Sequence, residues 1–304
     1  MKLYAECIAC QVQVRFRDIQ KIIDNEDKRV EVMKKVVEHL NDILSRCSSR
    51  YDGQCIPTII STNLFRLVKS ATGIDDPYRE EKNLANREAL KIYENLKKIV
   101  FQLSDLKKRL FLALKISLAG NLIDLGVANY NAPELSKITE LINSMDILGD
   151  VSESLDLLTK SKKIAIVMDN TGEAVFDRIL GDVLKAEGKY IVAIVKGAPF
   201  QNDITYSEAE YAELMKSFDA VLSTGTDASS IFIEEVGEDF LENLRKFDIV
   251  LAKGMANYEY ITEIESIIGI PIIYALVAKC TPVARDLGVP LGKAVIKVSK
   301  YFVR

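Results

Sequence analysis

The chain has 304 residues, 40 Lys+Arg against 44 Asp+Glu, five cysteines, no tryptophan and one histidine. A single histidine excludes, within one chain, a three-His zinc site, a two-His facial triad and a HExxH metalloprotease helix, so hydrolytic chemistry must run on carboxylates, amides, lysines or thiols. The net charge of −4 argues against nucleic acid as a partner, because neutralising phosphates takes a basic face.

The amino-terminal stretch MKLYAECIACQ has no apolar core of signal-peptide length. No run approaches the roughly 18 apolar residues of a membrane helix. FLALKISLAGNLIDLGVA is interrupted by Lys115, Asn121 and Asp124. A soluble cytoplasmic chain with no membrane partner is expected; oligomeric state has no sequence signal. The few cysteines read as reduced thiols rather than a disulfide scaffold. Cys7-x-x-Cys10 alone is too little for zinc, which would need two more ligands, available from Cys47 and Cys55 only if the fold brings them near.

Residues 1–155 read as helical. Val32, Val36, Val37, Leu40, Ile43 and Leu44 follow the i, i+3/i+4 rule, with His39 between Glu38 and Leu40 as an ordinary boundary residue. Stretches 82–101 and 106–119 repeat the pattern with good helix formers. Pro57, Pro77 and Pro133 punctuate, and Asp76-Pro77 has the look of a helix start. A split near 56 would divide this region into two lobes.

From 156 to 304 the period changes. Apolar runs at 163–169, 190–196, 218–224, 247–253 and 271–279 alternate with amphipathic stretches at 173–187, 207–217, 237–246 and 258–268. Such alternation predicts an α/β region with a mostly parallel sheet covered on both faces, following the helical region. The last segment, GKAVIKVSKYF, alternates more strictly and is expected to be an antiparallel edge strand.

Ligands of open α/β sheets bind at the carboxyl ends of the strands. There stand Asp169-Asn170-Thr171-Gly172-Glu173, then Lys196 with Asn202-Asp203, then Ser223-Thr224-Gly225-Thr226-Asp227, then Lys253-Gly254, then Lys279-Cys280. Three lysines, a small hydroxyl-rich turn and Asp/Asn oxygen donors suit a phosphate beside a divalent cation. Oxygen donors without His or Cys favour Mg²⁺ or Mn²⁺ over Zn²⁺. No P-loop and no GxGxxG follows a strand. VMDNTG is similar to a haloacid-dehalogenase nucleophile loop, but Thr171 replaces the second Asp that an aspartyl-phosphate mechanism needs.

Taken together, Asp-Asn-x-Gly-Glu (169–173), Asn-Asp-x-Thr (202–205), Ser-Thr-Gly-x-Asp (223–227), Lys-Gly-x-x-Asn-Tyr-Glu (253–259) and Lys-Cys (279–280) resemble the damage-control phosphatase family, formerly of unknown function and related to acidic-residue methyltransferase-like proteins. Cys7-x-x-Cys10, Asp76-Pro77-Tyr78 with Lys82, and Gly120-Asn121-x-x-Asp124 resemble its largely archaeal branch. The resemblance implies an all-helical amino-terminal region on an α/β Rossmann-like three-layer sandwich, and a divalent metal, Mn²⁺, Co²⁺, Ni²⁺ or Mg²⁺, on Asp169, Asn170 and Asp203. It implies phosphate contacts from Lys253, Asn257 and Lys279, with Asn121 and Asp124 facing the cleft from the helical side.

The implied activity is hydrolysis of phosphate monoesters of small metabolites, such as sugar phosphates or damaged phosphometabolites. In this reading Lys196, Ser223, Thr224, Gly225 and Asp227 complete the substrate site. Asp169, Glu173 and Lys253 carry catalysis, by water attack with Glu173 as base or by direct attack of Asp169. The alternatives are an S-adenosylmethionine-dependent carboxyl methyltransferase, for which DNTGE is a poor glycine loop, and a non-enzymatic phosphometabolite-binding protein.

Overall fold

The computed structural model describes residues 1–50, 52–121 and 138–299. Five helices come first: α1 (Ala5–Ile22), α2 (Glu26–Arg46), α3 (Pro57–Thr72), α4 (Arg79–Phe101) and α5 (Leu106–Asn121). After α6 (Ile138–Ser144) the chain alternates as β1 (Ile147–Gly149), α7 (Val151–Lys160), β2 (Lys163–Val167), α8 (Glu173–Ala186), β3 (Tyr190–Val195), α9 (Tyr206–Ala209) and β4 (Ala220–Ser223). It continues through α10 (Ile233–Val236), α11 (Glu238–Leu244), β5 (Ile249–Lys253), α12 (Gly254–Ile268), β6 (Ile272–Val277), α13 (Thr281–Leu287) and β7 (Ala294–Val298). Among the described residues, no helix is long and apolar enough to cross a membrane.

The strands form one sheet of order β1-β7-β6-β5-β2-β3-β4, parallel at every step except β6 against β7. Successive side chains of a strand face opposite sides. Ile164 and Ile166 therefore pack with α4, α5 and α8, while Ala165 and Val167 pack with α1, α3 and α12. Both faces are covered, which is why the strands read as continuous apolar runs. The result is a three-layer α/β sandwich. The order β4-β3-β2-β5-β6 reverses at β2, and ligand crevices open at the carboxyl ends of the strands where such a reversal occurs.

The structure corrects three expectations. β7 is antiparallel to β6 as expected, but it is not the edge: β1 pairs with its other side, Ile147 opposite Ala294. Three residues are too few to show a strand period in the sequence. The stretch 207–217 is not one helix: α9 stops at Ala209, and Glu213 adopts φ +56°, which breaks the helical path. Cys47 and Cys55 form a disulfide, with Cα atoms 5.9 Å apart, joining the end of α2 to the approach to α3. That pairing also removes them as ligands for a site at Cys7 and Cys10.

Candidate active site

The loop after β2 and the loop after β3 are sewn together by backbone bonds. Ile204 N–H donates to the Asp169 carbonyl (2.9 Å) and Thr171 N–H to the Asn202 carbonyl (3.0 Å). Asn170 and Asp203 thereby face each other as an isolated antiparallel bridge. Two oxygen-bearing pairs that are 33 residues apart in the chain become one cluster. Lys196 Nζ lies 3.5 Å from Asp203 Oδ2.

Asp169 is oriented by amides. Its Oδ2 accepts from Asn121 Nδ2 (2.9 Å) and Asn170 Nδ2 (2.8 Å). The same two amides donate to Glu173 Oε2, at 2.8 and 3.1 Å. Asn121, at the end of α5, is itself fixed by the Val277 N–H at 3.0 Å. With one oxygen of Asp169 held, the direction of the other follows. Gly254, the first residue of α12, has φ +79°, and a Cβ there would sit 1.9 Å from Asp169 Oδ2. Only glycine lets the α12 backbone come this close, and it presents the positive end of that helix to the carboxylate.

Behind Asp169 lies a buried ion cluster. Lys253 Nζ donates to Glu173 Oε1 (2.5 Å) and Asp177 Oδ1 (2.7 Å), and Ser117 Oγ donates to Asp177 Oδ1 (2.5 Å). All four side chains are buried. Burial would lower the Lys253 pKa, but Asp177 and Glu173 outweigh it and hold the ammonium well above its ordinary value. Burial pushes Asp177 up to about 6 although Lys253 pulls the other way. Asn257 donates to the Lys253 carbonyl (2.7 Å) and the Met168 carbonyl (3.2 Å), tying the first turn of α12 to the end of β2.

A cavity of about 500 Å³ opens over these strand ends, of a size suited to a small molecule. Of the strand-end residues singled out in the sequence, Asp169, Asn170, Asn202, Asp203, Lys279 and Cys280 line it. Glu173, Lys253, Asn121, Asn257 and Lys196 stand behind or beside that wall. Ser223, Thr224, Gly225 and Asp227 are placed elsewhere. Ser223 Oγ accepts the Gly225 N–H (3.0 Å), Thr224 Oγ1 accepts the Gly197 N–H (3.2 Å), and Asp227 is held by Arg66 and Lys69 of α3, both at 2.6 Å. Asp124 lies outside the described residues.

The rest of the wall comes from helices. Gln11 and the Cys7/Cys10 pair come from α1, Thr58 from α3, and Met255, Ala256 and Glu259 from α12. Sequence reasoning passed over Thr58, Gln11 and Glu259 as site residues. The spacing of 255, 256 and 259, one face of a helix beginning at a strand end, was the available signal. The cavity brings the Cys7-x-x-Cys10 pair close to Cys280. Burial, with nearby Glu259 adding to it, pushes the Cys7 and Cys280 thiols up to about 12, which favours the neutral form.

Among the described residues no group of three or more His, Cys, Asp or Glu is placed to hold a metal. The donor set at the β2 and β3 ends is two carboxylates and one amide. Asn170 commits its NH₂ group to Asp169 and Glu173, so its carbonyl oxygen is what remains for a cation. Three oxygen donors on a cavity wall fit Mg²⁺ or Mn²⁺, which keep several water or phosphate ligands of their own.

Fold and cavity define the class: a doubly wound α/β protein with a small-molecule site of oxygen donors and one lysine at its strand ends. The chain belongs to the family described as the damage-control phosphatase ARMT1-like domain, whose pattern matches residues 3–295. An uncharacterized protein of Methanocaldococcus jannaschii is 34% identical over 299 residues, covering 97% of this chain and 95% of its own length. A damage-control phosphatase of Archaeoglobus fulgidus is 30% identical over 307 residues, 98% of this chain and 99% of that one. The crystal structure of a DUF89 family protein from Pyrococcus horikoshii superposes with a TM-score of 0.82 at 28% identity, covering 97% of this chain and 98% of the other.

Proposed function

We propose that the protein is a divalent-metal-dependent phosphatase acting on phosphate monoesters of small metabolites, such as sugar phosphates or damaged phosphometabolites. The observation that carries this reading is the Asn170–Asp203 bridge beside Asp169 on a cavity that also receives Lys279. Family membership supports the phosphatase class.

Asp169, Asn170 and Asp203 would hold the cation, which supplies charge neutralisation and a more acidic water when bound. Lys279 reaches the phosphoryl oxygens from the β6 end. Asn121 and Asn170 keep Asp169 aimed at the cavity. Lys253, Glu173 and Asp177 are positioning residues: the ammonium neutralises two carboxylates that would otherwise compete for the cation. Attack by water is the favoured path, because Thr171 stands where an aspartyl-phosphate loop carries its second Asp.

The test is hydrolysis of p-nitrophenyl phosphate and a panel of sugar phosphates, with Mn²⁺, Co²⁺, Ni²⁺ or Mg²⁺ and after chelation. Metal-dependent turnover, abolished in Asp169→Ala, is expected. Turnover that survives chelation or Asp169→Ala would overturn the assignment. Hydrolysis of a phosphate ester made chiral at phosphorus with oxygen isotopes should invert its configuration, as one displacement by water requires; retention would replace water attack by attack of the Asp169 carboxylate.

A further inference from the structure

The cavity extends well past the oxygen donors. Its far wall is the face of α12 that carries Met255, Ala256 and Glu259. Gly254 touches Asp169, and Glu259 stands about 7.5 Å further along the helix axis, at 1.5 Å per residue. That is the reach of a small sugar or polyol beyond its phosphate. Glu259 Oε2 accepts from Thr58 Oγ1 at 2.7 Å, so the carboxyl is held against α3. Beside it Gln11, nine-tenths buried, donates to the Pro57 carbonyl (3.3 Å), and its Oε1 has no hydrogen-bond partner.

Charge points the same way. Among the described residues, the charged side chains that line the cavity are Glu6, Asp169, Asp203 and Glu259 against Lys279. Lys279, with a cation on Asp169 and Asp203, accounts for a phosphate at the strand ends. No basic side chain lines the Glu259 end among these residues. The Met1 amine sits behind it, donating to the Glu259 carbonyl and to Thr262 Oγ1 (2.8 Å) and paired with Glu263 at 2.8 Å, so it does not line the cavity.

We propose that Glu259 makes the site selective for phosphate monoesters whose organic part presents hydroxyl or amino donors, and that it turns away esters bearing a second anionic group. The proposal rests on the phosphatase reading for the placement of the phosphate. Thr58 and Gln11 frame the donor-recognising end. A second phosphate or a carboxylate at that end would meet the Glu259 carboxylate, and like charges repel.

The test uses the Mn²⁺-loaded full chain at pH 8 with glucose 6-phosphate and 6-phosphogluconate, which carries a carboxylate at C1, and with sorbitol 6-phosphate, open-chain like the second but neutral at C1, to separate charge from ring shape. Calorimetry reads binding and initial rates read kcat/KM, so each is available without the other. The wild-type protein is expected to prefer glucose 6-phosphate and sorbitol 6-phosphate to 6-phosphogluconate by about ten-fold or more. Glu259→Gln should shrink the preference to about three-fold or less by gaining 6-phosphogluconate, and Glu259→Asp should restore it. Equal handling of sorbitol 6-phosphate and 6-phosphogluconate by the wild type, an unchanged preference in Glu259→Gln, or binding of none of the probes would overturn the proposal. A binding preference without turnover would uphold it and overturn the hydrolase reading instead. Should Glu259→Gln fail to fold, Glu259→Ala is the second variant: it removes the carboxyl altogether, and a preference that stays unchanged refutes the proposal.

Discussion

Gly254→Ala is the sharpest perturbation of the site. The added methyl would start 1.9 Å from Asp169 Oδ2 and 2.1 Å from its Cγ, where contacts under 3.0 Å do not persist. The carboxylate must retreat by roughly 1 Å, and a displacement of that size at a reacting centre costs about 100-fold in rate. A non-glycine residue at φ +79° adds about 1–2 kcal/mol of backbone strain, which lowers Tm by roughly 2–3 °C in a chain of this size. The assay pairs kcat/KM on p-nitrophenyl phosphate with Mn²⁺ titration by calorimetry and a thermal melt. A cooperative melt with weakened Mn²⁺ binding and lost turnover is the expected result. Full activity and unaltered Mn²⁺ affinity in Gly254→Ala would refute the placement of Asp169 at the reaction centre.

Lys253→Met leaves Glu173 and Asp177 buried without their cation, which should cost about 3–5 kcal/mol in urea unfolding at pH 8. The cost should shrink at pH 5, because Asp177, already raised to about 6, takes up a proton. Glu259 sets a pH trend of the same sign in the wild type. Burial raises its carboxyl from the usual 4.5 to about 7 against the pull of Thr58 and the Met1 amine, with Asp286 adding to the rise. The folded chain thus keeps a proton that the unfolded chain releases between pH 4.5 and 7, and stability from this group falls as pH rises through that window. At about 1.4 kcal/mol per pH unit the loss is about 3 kcal/mol, and Glu259→Gln should be spared it when melts at pH 5 and 8 are compared. Arg66→Ala, which unties Asp227 and Glu235, should lower stability by about 1 kcal/mol and leave kcat unchanged; a large drop in kcat would put that network in the substrate site.

Strand-end chemistry was legible because parallel strands buried on both faces leave one kind of place for polar side chains. Asp169, Asn170, Asp203 and Lys279 stand there in the sequence and line the cavity in the fold. The sequence could not tell which strand-end residues face a ligand and which face the protein. Lys253 and Lys279 each close an apolar run and look alike on paper. The first is swallowed by Glu173 and Asp177 of α8, and the second borders the cavity, because α8 crosses one face of the sheet and leaves the β6 end open. Asp227 belongs to the same kind of turn as the others, yet Arg66 and Lys69, about 160 residues earlier, pull it to α3. The Cys47–Cys55 pairing and the short strand β1 were likewise hidden, one decided by how α2 and α3 meet and the other too short to carry a period. Composition and local period determined the architecture and the residue types available for chemistry. Which of those residues share a cavity, and that Glu259 and Thr58 close its far end, was decided by contacts between α1, α3 and α12, which no local pattern encodes.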